Sequence, residues 1–221
     1  MGVCDRYDAI CGLMRKAAEH AGRAPDSVSL TAVTKTKSAE EFLPLIERGH
    51  RLFGENRVQE AKEKYAPLKE RFPDIELHLI GHLQTNKVRD AVALFDSIDV
   101  VDSEELAEKL AAEMKRQNRF LPVYVQINTG LEEQKGGVDP RKTADFVQKC
   151  RDIGLNVVGL MCIPPVDDEP SPHFALLKKL ARETGVERVS MGMSDDFDIA
   201  IEQGATTVRV GSALFGERKQ V

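Results

Sequence analysis

The sequence predicts an α/β fold, a single (β/α)8 TIM barrel with an extra helix at its N-terminus. Short apolar runs alternate with amphipathic segments eight times along the chain, which is the pattern of such a barrel. No linker, low-complexity segment or shift in composition divides the chain, so residues 1–221 are expected to form one domain. A doubly wound open sheet is the alternative, but open sheets usually contain fewer strands.

The predicted strands are short runs rich in valine, isoleucine, leucine and threonine, and turn-forming or polar residues follow each of them. Each run is followed by a segment with helical spacing, so neighbouring strands are expected to be parallel. The runs are 27–35, 51–56, 75–81, 95–102, 121–129, 155–163, 186–192 and 206–211.

The predicted helices are marked by apolar spacing and by capping residues. Val3, Ile10 and Met14 recur at helical spacing and open the chain with an amphipathic helix. Ser38, with Glu41 three residues later, forms a capping box that starts the helix after the first strand. The other helices are expected near 58–70, 86–93, 172–183 and 195–203, and from Ser103, Pro140 and Ser212.

Composition excludes several classes of protein. A hydrophobic content of 42% and a charged content of 30% are typical of a soluble protein, and the net charge of -5 offers no surface for nucleic acid or an anionic membrane. No apolar run is long enough to span a bilayer, and the N-terminus has no signal-peptide core. The four cysteines form no CxxC and no zinc-site spacing. We therefore expect free thiols and a cytoplasmic protein.

A lysine at the end of the first strand is the first candidate for chemistry. Thr31, Val33 and Lys35 share the face expected to point into the barrel, and the strand is expected to end between Lys35 and Lys37. Burial lowers the pKa of a lysine amine, and a neutral amine condenses with aldehydes. A lysine paired at the rim is the alternative. Lys37 is expected in the following loop, within reach of solvent.

The last two strands predict an anion site. Thr207, Arg209 and Gly211 share the inward face of the eighth strand, and a guanidinium keeps its charge, so it must meet an anion, a carbonyl or a ring acceptor. Gly211 and Ser212 begin the next helix, and Ser194 lies in the loop after the seventh strand. Barrels often bind phosphate at these two loops. Two ordinary helix caps are the alternative.

Other patterns are weak or absent. No phosphate-binding P-loop, dinucleotide fingerprint, zinc-protease motif or nucleophile elbow occurs. His78 lies in a strand and is expected to be a core or pocket histidine rather than a metal ligand, and no metal is expected. The loop 131–137 is expected to be flexible, and its Lys135 to be solvated.

An inward lysine, an inward arginine and a phosphate cradle together fit a phosphorylated aldehyde that is held covalently on the lysine. Pyridoxal 5′-phosphate fits all of these features. A sugar-phosphate aldolase that forms its own Schiff base fits the lysine and the phosphate cradle, but leaves the arginine without a role.

Five segments of the chain match motifs of a known family. They are "AVTKTK" (32–37), "FGENRVQEAKEK" (53–64), "LHLIGHLQTNKV" (77–88), "GLMCIPP" (159–165) and "SMGMSDDFDIAIEQGATTVRVGSALFG" (190–216). Through them the sequence resembles the YggS/PROSC family of pyridoxal phosphate homeostasis proteins along nearly its whole length. That family resembles the barrel domain of fold-type III pyridoxal-phosphate enzymes, such as alanine racemase, without their second domain.

The resemblance implies a set of cofactor-binding residues and no catalytic ones. It places a covalent aldimine on the first lysine of the "KTK" motif and an arginine against the pyridine nitrogen. It also places two residues beside the cofactor ring and three residues at its phosphate group. The implied residues are Lys35 for the aldimine, Arg209 for the nitrogen, Asn56 and Met161 for the ring, and Ser194, Gly211 and Ser212 for the phosphate.

The resemblance also implies a function in pyridoxal-phosphate homeostasis. A cation beside the pyridine nitrogen disfavours its protonation and weakens the ring as an electron sink, so a carrier that buffers or delivers the cofactor without turnover is expected. Its expected partners are the cofactor and apo forms of pyridoxal-phosphate enzymes, and we expect a monomer rather than an oligomer. An amino-acid racemase is the alternative. It would need an acid or base on the second face of the substrate, where only Tyr7, Tyr65 and Tyr124 are available.

Overall fold

The structure, a computed structural model, describes residues 2–216 as a closed barrel of eight parallel strands in chain order. The strands are β1 (Ser29–Val33), β2 (Leu52–Glu55), β3 (Glu76–Leu79), β4 (Ser97–Val101), β5 (Pro122–Ile127), β6 (Asn156–Cys162), β7 (Arg188–Ser190) and β8 (Thr207–Val210). β8 pairs with β1 and closes the barrel, with Arg209 opposite Thr31. The predicted (β/α)8 barrel is therefore confirmed.

Helices surround the barrel and connect its strands. They are α1 (Val3–His20), α2 (Ala39–Glu47), α3 (Val58–Arg71), α4 (Val88–Leu94), α5 (Glu104–Gln117), α6 (Thr143–Asp152), α7 (Pro170–Thr184), α8 (Phe197–Glu202) and α9 (Ser212–Phe215), with short 3-10 helices at Thr85–Lys87 and Pro140–Lys142. The predicted N-terminal helix is confirmed as α1, which packs against α2, α8 and α9. No helix within residues 2–216 is both long and apolar enough to cross a membrane.

Local capping explains where two of the helices begin. The predicted capping box is present at α2, where the Ser38 N–H donates to Oε2 of Glu41 at 2.8 Å. The helix predicted from 195 begins later, at Phe197. The N–H of Met193 donates to Oδ1 of Asp196 at 2.6 Å, and this bond closes a turn over residues 193–196 that takes up the first two residues of the predicted helix.

The inward face of β2 shows how side chains fill the barrel. A Cβ on Gly54 would lie 2.8 Å from Cγ2 of Thr31 and 2.9 Å from Cδ1 of Ile80, so side chains from β1 and from the residue that follows β3 occupy the space in front of the glycine. Phe53, the preceding residue, points the other way and packs with Phe42 and with the ring of Tyr65 on the helical side. The predicted inward direction of Thr31 is therefore confirmed.

The end of β1 differs from the prediction. β1 ends at Val33, so the strand does not run to a point between Lys35 and Lys37, and the predicted boundary is wrong. The N–H of Thr34 still donates to the Gly54 carbonyl at 3.1 Å, but the N–H of Lys37 then donates back to the Thr34 carbonyl at 3.1 Å. This closes a turn over residues 34–37, the Lys35 turn, and the chain leaves the sheet before the lysine.

His78 lies in β3 with its side chain buried in the interior of the barrel. Its Nδ1 contacts Oδ2 of Asp99 at 2.9 Å and its Nε2 contacts Oε1 of Glu76 at 2.9 Å. Burial lowers the pKa of His78, but the charges and hydrogen bonds of the two carboxylates outweigh it and raise the pKa to about 10. The prediction of a core histidine is confirmed, and the two carboxylates favour the protonated ring.

Candidate functional site

A pocket of about 250 Å³ lies at the C-terminal ends of the barrel strands. It is the position expected for the functional site of such a barrel. The lining residues include every predicted cofactor residue except Met161. They are Val33, Lys35, Thr36, Lys37, Asn56, Ile80, Ile163, Met193, Ser194, Asp195, Arg209, Gly211, Ser212, Phe215 and Gly216.

The two lysines of the "KTK" motif line the same pocket. Lys35 is half-buried on the Lys35 turn. The side chain of Lys37 is only 13% exposed, and its Nζ lies 3.4 Å from the Phe215 carbonyl and 3.5 Å from Oε1 of Glu41. The expectation that Lys37 reaches solvent is therefore wrong. Lys37 does lie directly before the helix cap, as the sequence indicates. Its contact with Phe215 could not be predicted, because the two residues are far apart in the sequence.

Arg209 extends from β8 to the pocket and is only 4% exposed. Its Nη1 donates to Oγ of Ser190 at 2.8 Å, and its Nη2 donates to the Cys162 carbonyl at 2.8 Å. Burial lowers the pKa of Arg209, but a guanidinium starts so high that it keeps its charge. The inward arginine that the sequence predicts is thus present, as a permanent cation held by β6 and β7.

The loops after β7 and β8 meet at Ser194, as the predicted anion site requires. Oγ of Ser194 accepts from the N–H of Gly211 at 3.3 Å and from the N–H of Ala213 at 3.2 Å. Gly192, two residues before Ser194, packs closely against α8, since its φ is +90° and a Cβ there would lie 2.5 Å from Cβ of Ala200. Hydroxyl and backbone N–H groups of both loops therefore lie at one side of the pocket.

Asn56 lines the pocket directly after β2. A close approach of the next loop fixes its backbone, since a Cβ on Gly81 would lie 2.5 Å from the Asn56 carbonyl oxygen and 2.6 Å from its Cα. Only glycine fits this contact without moving one of the two loops. The position of Asn56 at the pocket therefore depends on Gly81.

Met161 does not line the pocket. It lies in β6 and is fully buried. Ile163, two residues later on the same face of the chain, is the residue that lines the pocket from this strand. Met161 thus lies one layer deeper in the barrel than the ring position that the family resemblance implies for it.

The loop after β5 is held together by hydrogen bonds. Nδ2 of Asn128 donates to the Glu132 carbonyl at 2.8 Å, and the Glu132 N–H donates back to Oδ1 of Asn128 at 3.1 Å. Nζ of Lys135 lies 2.6 Å from Oε2 of Glu132 and donates to the Pro164 carbonyl at 3.1 Å. The expectation that Lys135 is merely solvated is therefore wrong: Glu132 is a local partner, and Pro164 lies in a loop that the sequence does not place beside Lys135.

The sequence also missed a cluster on α3. Lys64 donates to the Thr34 carbonyl and lies within ion-pair distance of Glu55 and Glu60, directly beneath the Lys35 turn. The only local signal was the i, i+4 spacing of Glu60 and Lys64, which also occurs on ordinary solvated helices. Within residues 2–216, no group of three or more His, Cys, Asp or Glu side chains could hold a metal ion.

Comparison with known proteins agrees with this geometry. Residues 7–219 match the family model for the alanine racemase N-terminal domain. The chain is 38% identical to the pyridoxal phosphate homeostasis protein of Aquifex aeolicus, over 99% of this chain and 100% of the relative. This chain belongs to the family of pyridoxal phosphate homeostasis proteins. The family member of Homo sapiens is 40% identical over 86% of this chain and 76% of its own length.

A similar protein of known structure has the same architecture. PipY of Synechococcus elongatus, solved with pyridoxal phosphate bound, superposes with a TM-score of 0.79 at 36% identity, over 92% of this chain and 99% of that one. The motifs that led from the sequence to the family are arranged around the pocket. "AVTKTK" forms the Lys35 turn, and "FGENRVQEAKEK" contributes both Asn56 at the pocket and the α3 cluster beneath it.

Proposed function

We propose that this protein binds pyridoxal 5′-phosphate in the pocket at the end of the barrel and takes part in the cell's pyridoxal-phosphate homeostasis as a carrier. The observation that supports this most is the meeting of a lysine amine, a buried guanidinium and two serine–glycine loops in one pocket. This donor set fits a phosphorylated aldehyde with a ring nitrogen, and the homologue PipY has been solved with pyridoxal phosphate bound.

Lys35 is the covalent attachment point in this proposal. Its amine would hold the cofactor, which would supply an aldehyde carbon with which a primary amine can condense with loss of one water molecule. Asn56 lies beside the same space and orients the ring, while Met161 supports the pocket from one layer below. Lys37 stays outside the covalent step, because its Nζ is directed to the Phe215 carbonyl and to Glu41.

Ser194, Gly211 and Ser212 hold the phosphate. Ser194 and Gly211 are already joined by a hydrogen bond of 3.3 Å, so the hydroxyl and the backbone N–H groups of the two loops are positioned before any ligand enters. Ser212 is exposed at the first position of α9 and offers a further hydroxyl. Ser194 accepts in its bonds to Gly211 and Ala213, so its own O–H can still donate to a dianionic group at this helix start.

Arg209 supports a carrier rather than an enzyme. When bound, the cofactor supplies an electron-accepting ring whose strength depends on protonation of its nitrogen. A fixed cation beside that nitrogen disfavours the protonation, so Arg209 keeps the ring a weak acceptor. The two hydrogen bonds to Ser190 and Cys162 hold the guanidinium in this role. The barrel then acts as one cofactor-binding domain that releases its cargo to apo-enzymes in the cytoplasm.

An amino-acid racemase is the second candidate, and the match to the alanine racemase N-terminal domain is the observation that favours it. A racemase needs an acid or base on each face of its substrate. None of the three tyrosines lines the pocket, since Tyr65 and Tyr124 are buried in the core and Tyr7 contacts His50 instead. Wash-in of deuterium at the α-carbon of alanine above the rate of free cofactor would support the racemase.

Borohydride reduction followed by peptide mapping tests the proposed function. Purified protein incubated with pyridoxal 5′-phosphate is expected to turn yellow, and reduction is expected to fix the cofactor to the peptide that contains Lys35. Lys35→Ala is expected to lose the label. Lys62→Ala, a matched change at a half-exposed lysine of α3, is expected to keep it. Label that persists in Lys35→Ala, or that maps to Lys37 in the unaltered protein, contradicts the assignment.

A further inference from the structure

We propose that Glu60 and Lys64 are positioning residues that clamp the Lys35 turn and thereby set the direction of the Lys35 amine in the pocket. The proposal rests on the proposed function for the role of that amine. The clamp itself consists of contacts within the chain. They are the backbone turn of residues 34–37, its hydrogen bonds to α3 and the buried ion pairs beneath it.

The Lys35 turn contains an unfavourable residue. The bond from the Lys37 N–H to the Thr34 carbonyl makes Lys35 and Thr36 the central residues of the turn. Thr36 has a φ of +64°, in the left-handed region that glycine and asparagine adopt easily and that a β-branched side chain resists. A turn of this kind ordinarily has glycine at the position of Thr36. The observed geometry therefore needs support from outside the turn.

That support comes from α3, on both flanks of the lysine. The N–H of Thr36 donates to Oε1 of Glu60 at 2.6 Å, and Nζ of Lys64 donates to the Thr34 carbonyl at 2.8 Å. Lys64 also donates to the same Oε1 of Glu60 at 2.8 Å, so the two helical side chains hold each other. The residues immediately before and after Lys35 are thus bonded to adjacent turns of one helix.

The clamp is anchored in the protein interior. The side chain of Lys64 is 11% exposed and lies 2.5 Å from Oε1 of Glu55, whose side chain is 0% exposed. Oε1 of Glu55 also accepts from Oγ1 of Thr34 at 2.7 Å, whereas its Oε2 has no hydrogen-bond partner in the part of the chain that the structure describes. Buried ion pairs add little net stability compared with apolar packing. Holding the Lys35 turn in place therefore explains this cluster better than a contribution to the free energy of unfolding.

Amide hydrogen exchange in the cofactor-free protein tests the clamp directly. In Glu60→Ala the Thr36 N–H loses a charged acceptor, and its exchange is expected to speed up about tenfold or more relative to the unaltered protein. Glu60→Gln keeps a carbonyl acceptor and is expected to stay close to the unaltered rate. Glu63→Ala, a change at an exposed glutamate one turn further along α3, is the matched control. Unchanged exchange at Thr36 in Glu60→Ala overturns the proposal.

Cofactor affinity separates positioning from general stability. The dissociation constant for pyridoxal 5′-phosphate is expected to rise about tenfold in Glu60→Ala and in Lys64→Met, and to change little in Lys62→Met. Glycine adopts a positive φ easily, so Thr36→Gly removes the unfavourable conformation. In a Thr36→Gly background, Glu60→Ala is therefore expected to raise the dissociation constant markedly less.

Two outcomes would overturn the clamp: equal loss of affinity in Glu60→Gln and Glu60→Ala, or the same cost of Glu60→Ala with and without Thr36→Gly. Either would mean that α3 only stabilises the fold. Failure of the unaltered protein to retain any cofactor on a lysine would instead overturn the proposed function. The exchange of the Thr36 amide still decides the clamp in that case, because it is measured without cofactor.

Discussion

Arg209 and Ser190 are joined inside the barrel, where Nη1 of the arginine donates to Oγ of the serine at 2.8 Å between β8 and β7. The bond holds a cation at the pocket where we place the cofactor ring. Arg209→Gln removes the charge and keeps an N–H donor. We expect the pKa of the ring nitrogen of the bound cofactor to rise by about one to three units, because the neighbouring cation no longer opposes protonation. A pH titration of the visible spectrum measures this change.

The same variant is expected to exchange the α-hydrogen of alanine faster than the unaltered protein, since a protonated ring is a stronger electron acceptor. Arg182→Gln, at an exposed position of α7, is the matched control and should leave both readouts unchanged. If the pH titration of Arg209→Gln matched that of the unaltered protein, the placement of Arg209 beside the ring nitrogen would be contradicted.

His78 makes stability fall at alkaline pH. Asp99 and Glu76 raise its pKa from 6.5 to about 10 against the opposing effect of burial. The unfolded chain loses this proton near pH 6.5 and the folded chain keeps it to about pH 10, so the contribution is complete below pH 6.5 and is lost as the pH rises to 10. Urea unfolding across this window should show a loss on the order of a few kcal/mol that is much reduced in His78→Gln.

His50 has the opposite dependence, on the outside of the barrel. Its Nε2 donates to the Leu52 carbonyl, its Nδ1 contacts the Tyr7 hydroxyl, and burial lowers its pKa from 6.5 to about 4. The folded protein resists a proton that the unfolded chain accepts, so stability present above pH 6.5 is lost as the pH falls to 4. We expect about 2 kcal/mol of the acid-side loss to disappear in His50→Gln, measured by urea unfolding. The same loss of stability between pH 6.5 and 4 in the unaltered protein and in His50→Gln would contradict this.

Gly81 is required by the approach of its loop to Asn56. Gly81→Ala would bring a Cβ within 2.5 Å of the Asn56 carbonyl oxygen, and we expect a loss of about 1–3 kcal/mol in the free energy of unfolding, with weaker cofactor binding. Gly12→Ala is the control, because a Cβ at Gly12 meets nothing within 4 Å. In the middle of α1 it should stabilise the protein by about 0.5–1 kcal/mol. Thermal denaturation of both variants decides the point.

Periodicity carried much of the prediction. The alternation of apolar runs with amphipathic segments determined the barrel, because each strand buries its residues and each helix presents one apolar face to it. The two-residue period of strands was enough to direct Thr31 and Arg209 inward. The site at the strand ends follows from the fold class, so the lining of the pocket by Lys35, Ser194 and Gly211 could be anticipated residue by residue.

Contacts between distant segments could not be anticipated. Lys37 meets Phe215, and Lys135 meets Pro164, across loops whose relative positions depend on the closed barrel. The end of β1 was misjudged because Thr36 adopts a conformation that threonine resists by itself, and local propensity cannot predict it.

The sequence by itself therefore determined the barrel, the direction of its strand residues and the set of polar groups at one end. Only the tertiary structure decided how those groups are held. A hydrogen bond or a buried ion pair requires two groups to meet with the right distance and direction, and Glu60 and Thr36 are brought together by the packing of α3 against the end of β1. Sequence periodicity reports which face a residue occupies, but it carries no information about the partner on the facing element.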